Sequence, residues 1–253
     1  MSEFPTVEVA GLPVWRISVE ELCDQIERWS DSREGHWIAT LNLDYYVRCK
    51  RDQGFWKILS KADVFTADGM PILRACQKRD PRFEGLDRTT GADLTPRLIR
   101  RLDPTKVAIV GGVDPAAALK ILEKDPADYF VFDGKVVLEE KWAQELAEKI
   151  SERSVVFVAL GCPKQEQMIA LLQPYLPNAV FIAVGGSFEM IAGITGRAPK
   201  WMQKAGMEWL YRLSIEPKRL WKRYLVEGVP GVFALRRETS SYLKESGRLA
   251  NGG

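Results

Sequence analysis

Two six-residue runs, Val155-Val156-Phe157-Val158-Ala159-Leu160 and Ala179–Val184, contain no polar side chain. A strand of that composition must be covered on both faces. Val107–Val110, Tyr129–Phe132 and His36–Leu41 read as further strands. Between them lie stretches with helical signals, such as Pro115–Lys124 behind Asp114, and Glu139–Ile150. Apolar strands that alternate with helices predict an α/β fold, a mostly parallel sheet flanked by helices on each side.

The N-terminal half supports the same reading. Val7–Val14 predicts a small strand pair turned at Gly11, and Ser18-Val19-Glu20-Glu21 is a capping box for a helix to about Ser30. One helical stretch is expected from Asp44 to Ser60, then a strand at Val64–Thr66 and a helix over Met70–Cys76. Gln77–Gly91 is polar and turn-rich and predicts a loop. Ala92–Leu102 reads as a helix, with Pro96 tolerable only in its first turn. Ser240–Gly253 is polar and predicts a fraying end.

Composition excludes several classes. The net charge of +2 does not suit a nucleic-acid binder. The four cysteines, Cys23, Cys49, Cys76 and Cys162, have no zinc spacing and suit a reducing cytoplasmic setting. The single histidine, His36, rules out a multi-histidine metal site. The start Met1-Ser2-Glu3-Phe4-Pro5 predicts no secretory signal, and no apolar run approaches the ~20 residues of a membrane span. After Gly193 the character changes. Up to Arg237, ten Lys and Arg face only Glu208, Glu216 and Glu227, a local balance of +7, with Trp201, Trp209, Tyr211, Trp221, Tyr224 and Phe233 interleaved.

Candidate chemistry collects where strands end, which is where ligands bind in open α/β sheets. Asp68 follows the Val64–Thr66 strand in Thr66-Ala67-Asp68-Gly69, although Asp-Gly also makes an ordinary turn. Gly161-Cys162-Pro163-Lys164-Gln165-Glu166 opens a helix after the most apolar strand. A helix start suits phosphate, and Lys164 and Gln165 add donors. Gly111-Gly112 and Gly185-Gly186-Ser187 also read as tight strand-to-helix turns, and three glycine turns on one expected edge would suit a nucleotide cleft. In Arg88-Thr89-Thr90-Gly91-Ala92-Asp93, Thr90 suits a helix cap and Asp93 the first turn, which leaves Arg88 without a local reason. There is no DxD triplet or carboxylate cluster to hold a divalent ion against a diphosphate. Arg, Lys and helix ends would have to meet such a charge.

Taken together, these stretches resemble one family. Thr40-Leu41-Asn42, the Asp68 and Arg88–Asp93 segments, the Pro163-Lys164-Gln165-Glu166 block and Gly185-Gly186-Ser187-Phe188-Glu189 occur in order. They are followed by Gly196-Arg197-Ala198-Pro199-Lys200-Trp201, Glu208-Trp209-Leu210-Tyr211-Arg212-Leu213 and Glu216-Pro217-Lys218-Arg219. The set is similar to the TagA/WecG/CpsF glycosyltransferases, best known for N-acetylmannosaminyl transfer, over about Val7 to Leu225. Some members transfer the uronic acid of that sugar, or glucose. The resemblance implies a Rossmann-like core and an inverting, metal-independent reaction without a cofactor. It also implies a UDP-sugar donor and an undecaprenyl-diphosphate-linked saccharide acceptor, used at the cytoplasmic membrane face in envelope polymer synthesis. The family's proposed base falls on Asp68, its asparagine after the first core strand on Asn42, and its polar Pro-Lys-Gln-Glu residue on Gln165. The chain departs from the family where Ala67 replaces Pro, where Glu189 replaces Asp, and where Asp133-Gly134-Lys135 stands near the usual glycine-tyrosine.

On this reading the chain divides into a Rossmann-like core, residues 1–195, and a basic C-terminal appendage, residues 196–253. The appendage completes the site and meets an anionic membrane surface. The expected catalytic residue is Asp68. The expected substrate contacts are Thr40, Asn42, Arg88, Thr90, Asp93, Gly111, Gly112, Lys164, Gln165, Glu166, Gly185, Gly186, Arg197, Arg212, Arg219 and Arg223. A homo-oligomer is compatible with all of this. Two rival readings are a nucleotide-dependent dehydrogenase or epimerase and a non-catalytic membrane-surface protein. The missing GxGxxG pattern counts against the first. A tail-only binder would have no use for Asp68 or the Pro-Lys-Gln-Glu block.

Overall fold

The computed structural model describes residues 4–251, so expectations touching Met1-Ser2-Glu3, Gly252 and Gly253 lie outside the described residues. The chain begins with β1 (Thr6–Val9), β2 (Leu12–Trp15), α1 (Val19–Ser32), β3 (His36–Leu41), α2 (Leu43–Arg51), α3 (Gln53–Leu59), β4 (Val64–Ala67), α4 (Met70–Arg79) and α5 (Gly91–Arg101). It continues through β5 (Val107–Gly111), α6 (Pro115–Ile121), β6 (Phe130–Phe132), α7 (Glu140–Lys149), β7 (Val155–Ala159), α8 (Lys164–Leu172), β8 (Val180–Ala183) and α9 (Ser187–Ile191). The C-terminal segment forms α10 (Lys200–Ala205), α11 (Glu208–Ile215), α12 (Pro217–Trp221), a π-helical stretch at Lys222–Gly228 and α13 (Val229–Asn251).

The eight strands form one sheet in the order β1-β2-β4-β3-β8-β7-β5-β6. Among the described residues only β1 and β2 pair antiparallel. The apolar strands divide their side chains between two cores. Trp37, Ala39 and Leu41 join α2, α4, α8 and α13 on one face, while Ile38 joins α1, α5, α6 and α9 on the other. The chain therefore leaves β3, β4 and β7 toward one face and β5 and β8 toward the other. Neighbouring strands with opposite exits leave a crevice at their carboxyl ends.

Several local expectations change. The Asp44–Ser60 stretch is two helices, because Asp52 caps the second by accepting from the N–H groups of Gly54 and Phe55. Helix α4 runs on to Arg79, and Pro81–Phe83 forms a 3₁₀ turn inside the expected loop. Pro96 is the sixth residue of α5, past the first turn, and the helix continues. Burial of Leu94, Leu98 and Ile99 outweighs the lost hydrogen bond. Helix α6 stops at Ile121, and Glu123 just beyond takes a left-handed φ of 60°.

The C-terminal end does not fray at Ser240; α13 continues to Asn251. Its anchor is Glu238. This carboxylate accepts from the Ala10 N–H at 3.1 Å, Tyr46 Oη at 3.1 Å and Arg79 Nη2 at 3.1 Å, with Lys50 Nζ at 2.7 Å. Leu235 and Thr239 on the same helix are buried. Burial pushes the Glu238 carboxyl up, but Lys50, Ala10 and Arg79 outweigh it and hold it below its usual range. The β1–β2 turn, α2 and α4 are thereby fastened to the last helix.

Candidate active site

Sheet order places five strand ends in one row: Asp68 after β4, Asn42 after β3, Gly185 after β8, Gly161 after β7 and Gly112 after β5. The three glycine turns thus lie on adjacent strands. Gly111 and Gly112 have φ of 83° and 91°. A Cβ on Gly111 would come within 2.4 Å of Leu160 Cδ2, so only glycine fits this turn.

Asp68 sits half-buried where β4 ends, its N–H bonded to the Leu41 carbonyl at 2.9 Å. The Thr40 hydroxyl, on the adjacent strand, hydrogen-bonds its carboxylate. Burial pushes the Asp68 carboxyl up to about 6, and nearby Glu208 adds to this; Arg88, Arg212 and the Thr40 hydrogen bond pull the other way. Arg88 extends from the loop before α5 and pairs through Nη1 with Glu208 Oε2 at 3.0 Å. Arg212 Nε lies 3.6 Å from Glu208 Oε1, and its Nη2 donates to Met190 Sδ at 3.3 Å. Asp68, Thr40, Arg88 and Arg212 therefore converge, and Glu208 joins them as a carboxylate that sequence reasoning did not assign to the site. In sequence, Glu208 looks like an acid favoured in the first turn of a helix by the dipole. Its contact with Arg88 spans 120 residues and leaves no local signal.

Asn42 caps α2, its Oδ1 accepting from the Tyr45 N–H at 3.1 Å. Gln165 and Glu166 are buried and turned inward. Gln165 donates to Tyr45 Oη at 2.7 Å and accepts from the Gly185 N–H at 3.0 Å; Tyr45 in turn donates to Glu166. Burial raises the Glu166 carboxyl above its usual range. Through these bonds Gln165 shapes the Gly185-Gly186 turn, and its amide keeps a second N–H and a second lone pair. Lys164 stands exposed at the first position of α8.

Thr90 caps α5 as its sequence predicts, accepting from the Asp93 N–H at 3.1 Å, and it also donates to Asp93 Oδ2 at 2.8 Å. The other Asp93 oxygen holds Arg197 Nη2 at 2.6 Å, which ties the start of the C-terminal segment to the core. Arg219 is exposed and pairs with Glu216 one turn back, its Nη2 2.9 Å from Oε1. Arg223 reaches Asp44, beside Asn42, with Nη2 3.3 Å from Oδ2. Among the described residues, Arg88, Arg197 and Arg223 each bury an Nε with no hydrogen-bond acceptor. Buried guanidinium donors are rarely left unmet, so each of these has a donor to offer an anion. Glu189 also buries an unpaired oxygen, while its other oxygen accepts from the Val113 N–H at 3.3 Å beside Gly112.

Among the described residues no three His, Cys, Asp or Glu side chains gather as a metal site, and no helix is long and apolar enough to cross a membrane. Most of the exposed large apolar side chains lie after Gly193, including Trp201, Trp209, Leu210, Trp221, Leu225 and Phe233. A strand-end carboxylate, arginines with buried unmet Nε donors and a glycine-lined edge suit transfer from an anionic donor. The glycosyl transferase WecG/TagA/CpsF family model matches residues 7–244, and the chain belongs to that family of cell-envelope polysaccharide glycosyltransferases.

Proposed function

We propose that this protein moves a sugar from a UDP-sugar to an undecaprenyl-diphosphate-linked saccharide, with inversion and without a metal ion, as a peripheral protein on the cytoplasmic face of the membrane. Asp68 takes the proton of the acceptor hydroxyl while that oxygen attacks the anomeric carbon. A base held near neutral pH suits the task, and a positioned base contributes typically 10²–10⁴-fold. UDP leaves as charge develops on its diphosphate. Arg88 and Arg212 act on Asp68, Arg223 reaches in from the C-terminal segment, and the exposed Arg219 can exchange its partner Glu216. Lys164 and the start of α8 add positive potential. The amide nitrogen of Asn42 is left for a sugar hydroxyl, and Gln165 fixes the glycine turn under the donor.

The observation that carries this reading is the raised carboxyl of Asp68 with Arg88 acting on it, since Arg88 also buries an Nε donor without an acceptor. Residues 1–195 form the catalytic core in this proposal. Residues 196–253 close the site and present Trp221, Leu225 and Phe233, among Lys218, Lys222, Arg236 and Arg237, to anionic lipid. The test is UDP release with a panel of UDP-sugars and a polyprenyl-diphosphate saccharide. Acceptor-dependent release with one sugar supports the proposal. NAD(H) binding without UDP binding would return the chain to the dehydrogenase reading.

A further inference from the structure

Glu208 faces Arg88 on one side and Arg212 on the other, and its charge reaches Asp68. The four groups balance, two carboxylates against two guanidinium ions. A diphosphate entering this cluster would add about two negative charges, which the arginines can neutralise only if one of their present partners gives way. Asp68 must stay to act as base, so the exchangeable partner is Glu208. We propose that Glu208 is an internal stand-in for the donor diphosphate: it holds Arg88 and Arg212 side by side in the free protein and yields them when the diphosphate binds.

The contacts have the character of a placeholder. Glu208 meets Arg88 through Nη1 at 3.0 Å and leaves the buried Arg88 Nε without an acceptor. Its distance to Arg212 Nε, 3.6 Å, exceeds a normal hydrogen bond, and Arg212 spends Nη2 on a thioether sulfur, a weak acceptor. Both arginines are thus held yet incompletely bonded. A diphosphate has more oxygens than a carboxylate and can fill the donors that Glu208 leaves unmet. The side chain of Glu208 is 20% exposed, so it can return to water when displaced. A tie that served only to fix α11 to the core would need none of these features.

The inference rests on the glycosyl-transfer reading but is tested apart from it. Inorganic pyrophosphate and UDP are titrated calorimetrically into the full-length protein, Glu208→Gln and Glu208→Asp at one pH and ionic strength, with thermal unfolding as the check on folding. Without its competitor, Glu208→Gln should bind pyrophosphate roughly three- to tenfold more tightly, the worth of a partly exposed ion pair. Glu208→Asp, one methylene shorter and so a poorer partner, should gain about two- to threefold, which decides the matter if the glutamine variant does not fold. Unchanged or weaker pyrophosphate binding in the folded variants overturns the stand-in, as does a failure of pyrophosphate to bind any of the three proteins. Tighter pyrophosphate binding with no preference for UDP keeps the stand-in and refutes the nucleotide donor.

Discussion

The two sides of the candidate site are built on different terms. On the sheet side, Gln165, Glu166, Tyr45 and Gly185 are linked in one chain of hydrogen bonds, with Glu166 Oε2 buried and left without a partner. On the C-terminal side, Arg212 and Arg219 pair with the partly exposed carboxylates Glu208 and Glu216. The first arrangement fixes geometry, since Tyr45, Gln165 and Glu166 are buried and their bonds costly to lose. The second keeps charges available, since partly exposed ion pairs are weak and exchange readily. A transferase needs both, a rigid edge to place the reacting carbon and cations free to follow the leaving group.

The largest expected effect falls on the rigid side. Asp68→Asn should lower turnover by about 10²–10⁴-fold while nucleotide binding persists, because the amide cannot accept the proton. Full activity in a folded Asp68→Asn protein would remove the base and with it the division of labour. Next comes the fastening of the two sides. Arg79→Met should destabilise the fold by about 3 kcal/mol, the low end of what breaking a buried pair costs, because Glu238 keeps Lys50. Chemical denaturation measures this, and a loss below about 1 kcal/mol would mean that α13 is held by other contacts.

On the C-terminal side, deleting everything after Leu213 is the wrong cut, since it takes the buried Leu235 and Glu238 out of the core. Phe233 and Trp221 are 63% and 52% exposed, so replacing both with Ser leaves the core alone. Burying an aromatic or aliphatic side chain is worth about 1.5–3 kcal/mol, so binding to anionic liposomes should fall roughly tenfold or more. Cosedimentation equal to the unaltered protein would end the membrane reading.

A smaller effect concerns pH. The Asp68 carboxyl, ordinarily near 3.8, is raised to about 6 by burial and Glu208 against Arg88, Arg212 and Thr40. The folded state therefore holds this proton more tightly than the unfolded chain. Its contribution to stability is full below 3.8 and is lost as pH rises through about 6. Asp68→Asn should be more stable than the parent above pH 6, by on the order of 1 kcal/mol, and the parent's activity should fall on the acid side of that pH. A less stable asparagine variant at pH 8 would contradict the raised carboxyl. The smallest expected effect is none: EDTA should leave the rate unchanged, and loss of activity restored by Mn²⁺ would expose a missed ion.

What the sequence revealed follows the range of the forces involved. The strands were legible because Val155–Ala159 and Val180–Ala183 are apolar on both faces, and the Thr90 cap because its partner Asp93 is three residues away. Asp68 and the glycine turns were legible as strand ends. The Asp52 break was written in the local sequence and went unread, since a cap inside an apolar pattern looks like a solvated face. The extension of α4 to Arg79 could not be read locally. It depends on Glu238 and Thr239, some 160 residues away, as Glu208 depends on Arg88. The inward turn of Gln165 was hidden for the same reason, because Tyr45 lies on another helix.

The Glu238 anchor also has a consequence for substrate choice. It joins α13, with Phe233 exposed on it, to α4, which begins two residues after Asp68. A protein resting on lipid through Phe233 would then carry its reacting carboxylate at a set height above the bilayer. The fold would act as a ruler. An acceptor hydroxyl would be reached only if the saccharide between it and the lipid diphosphate had the matching length, so chain length, as much as sugar identity, would decide which glycolipid is extended.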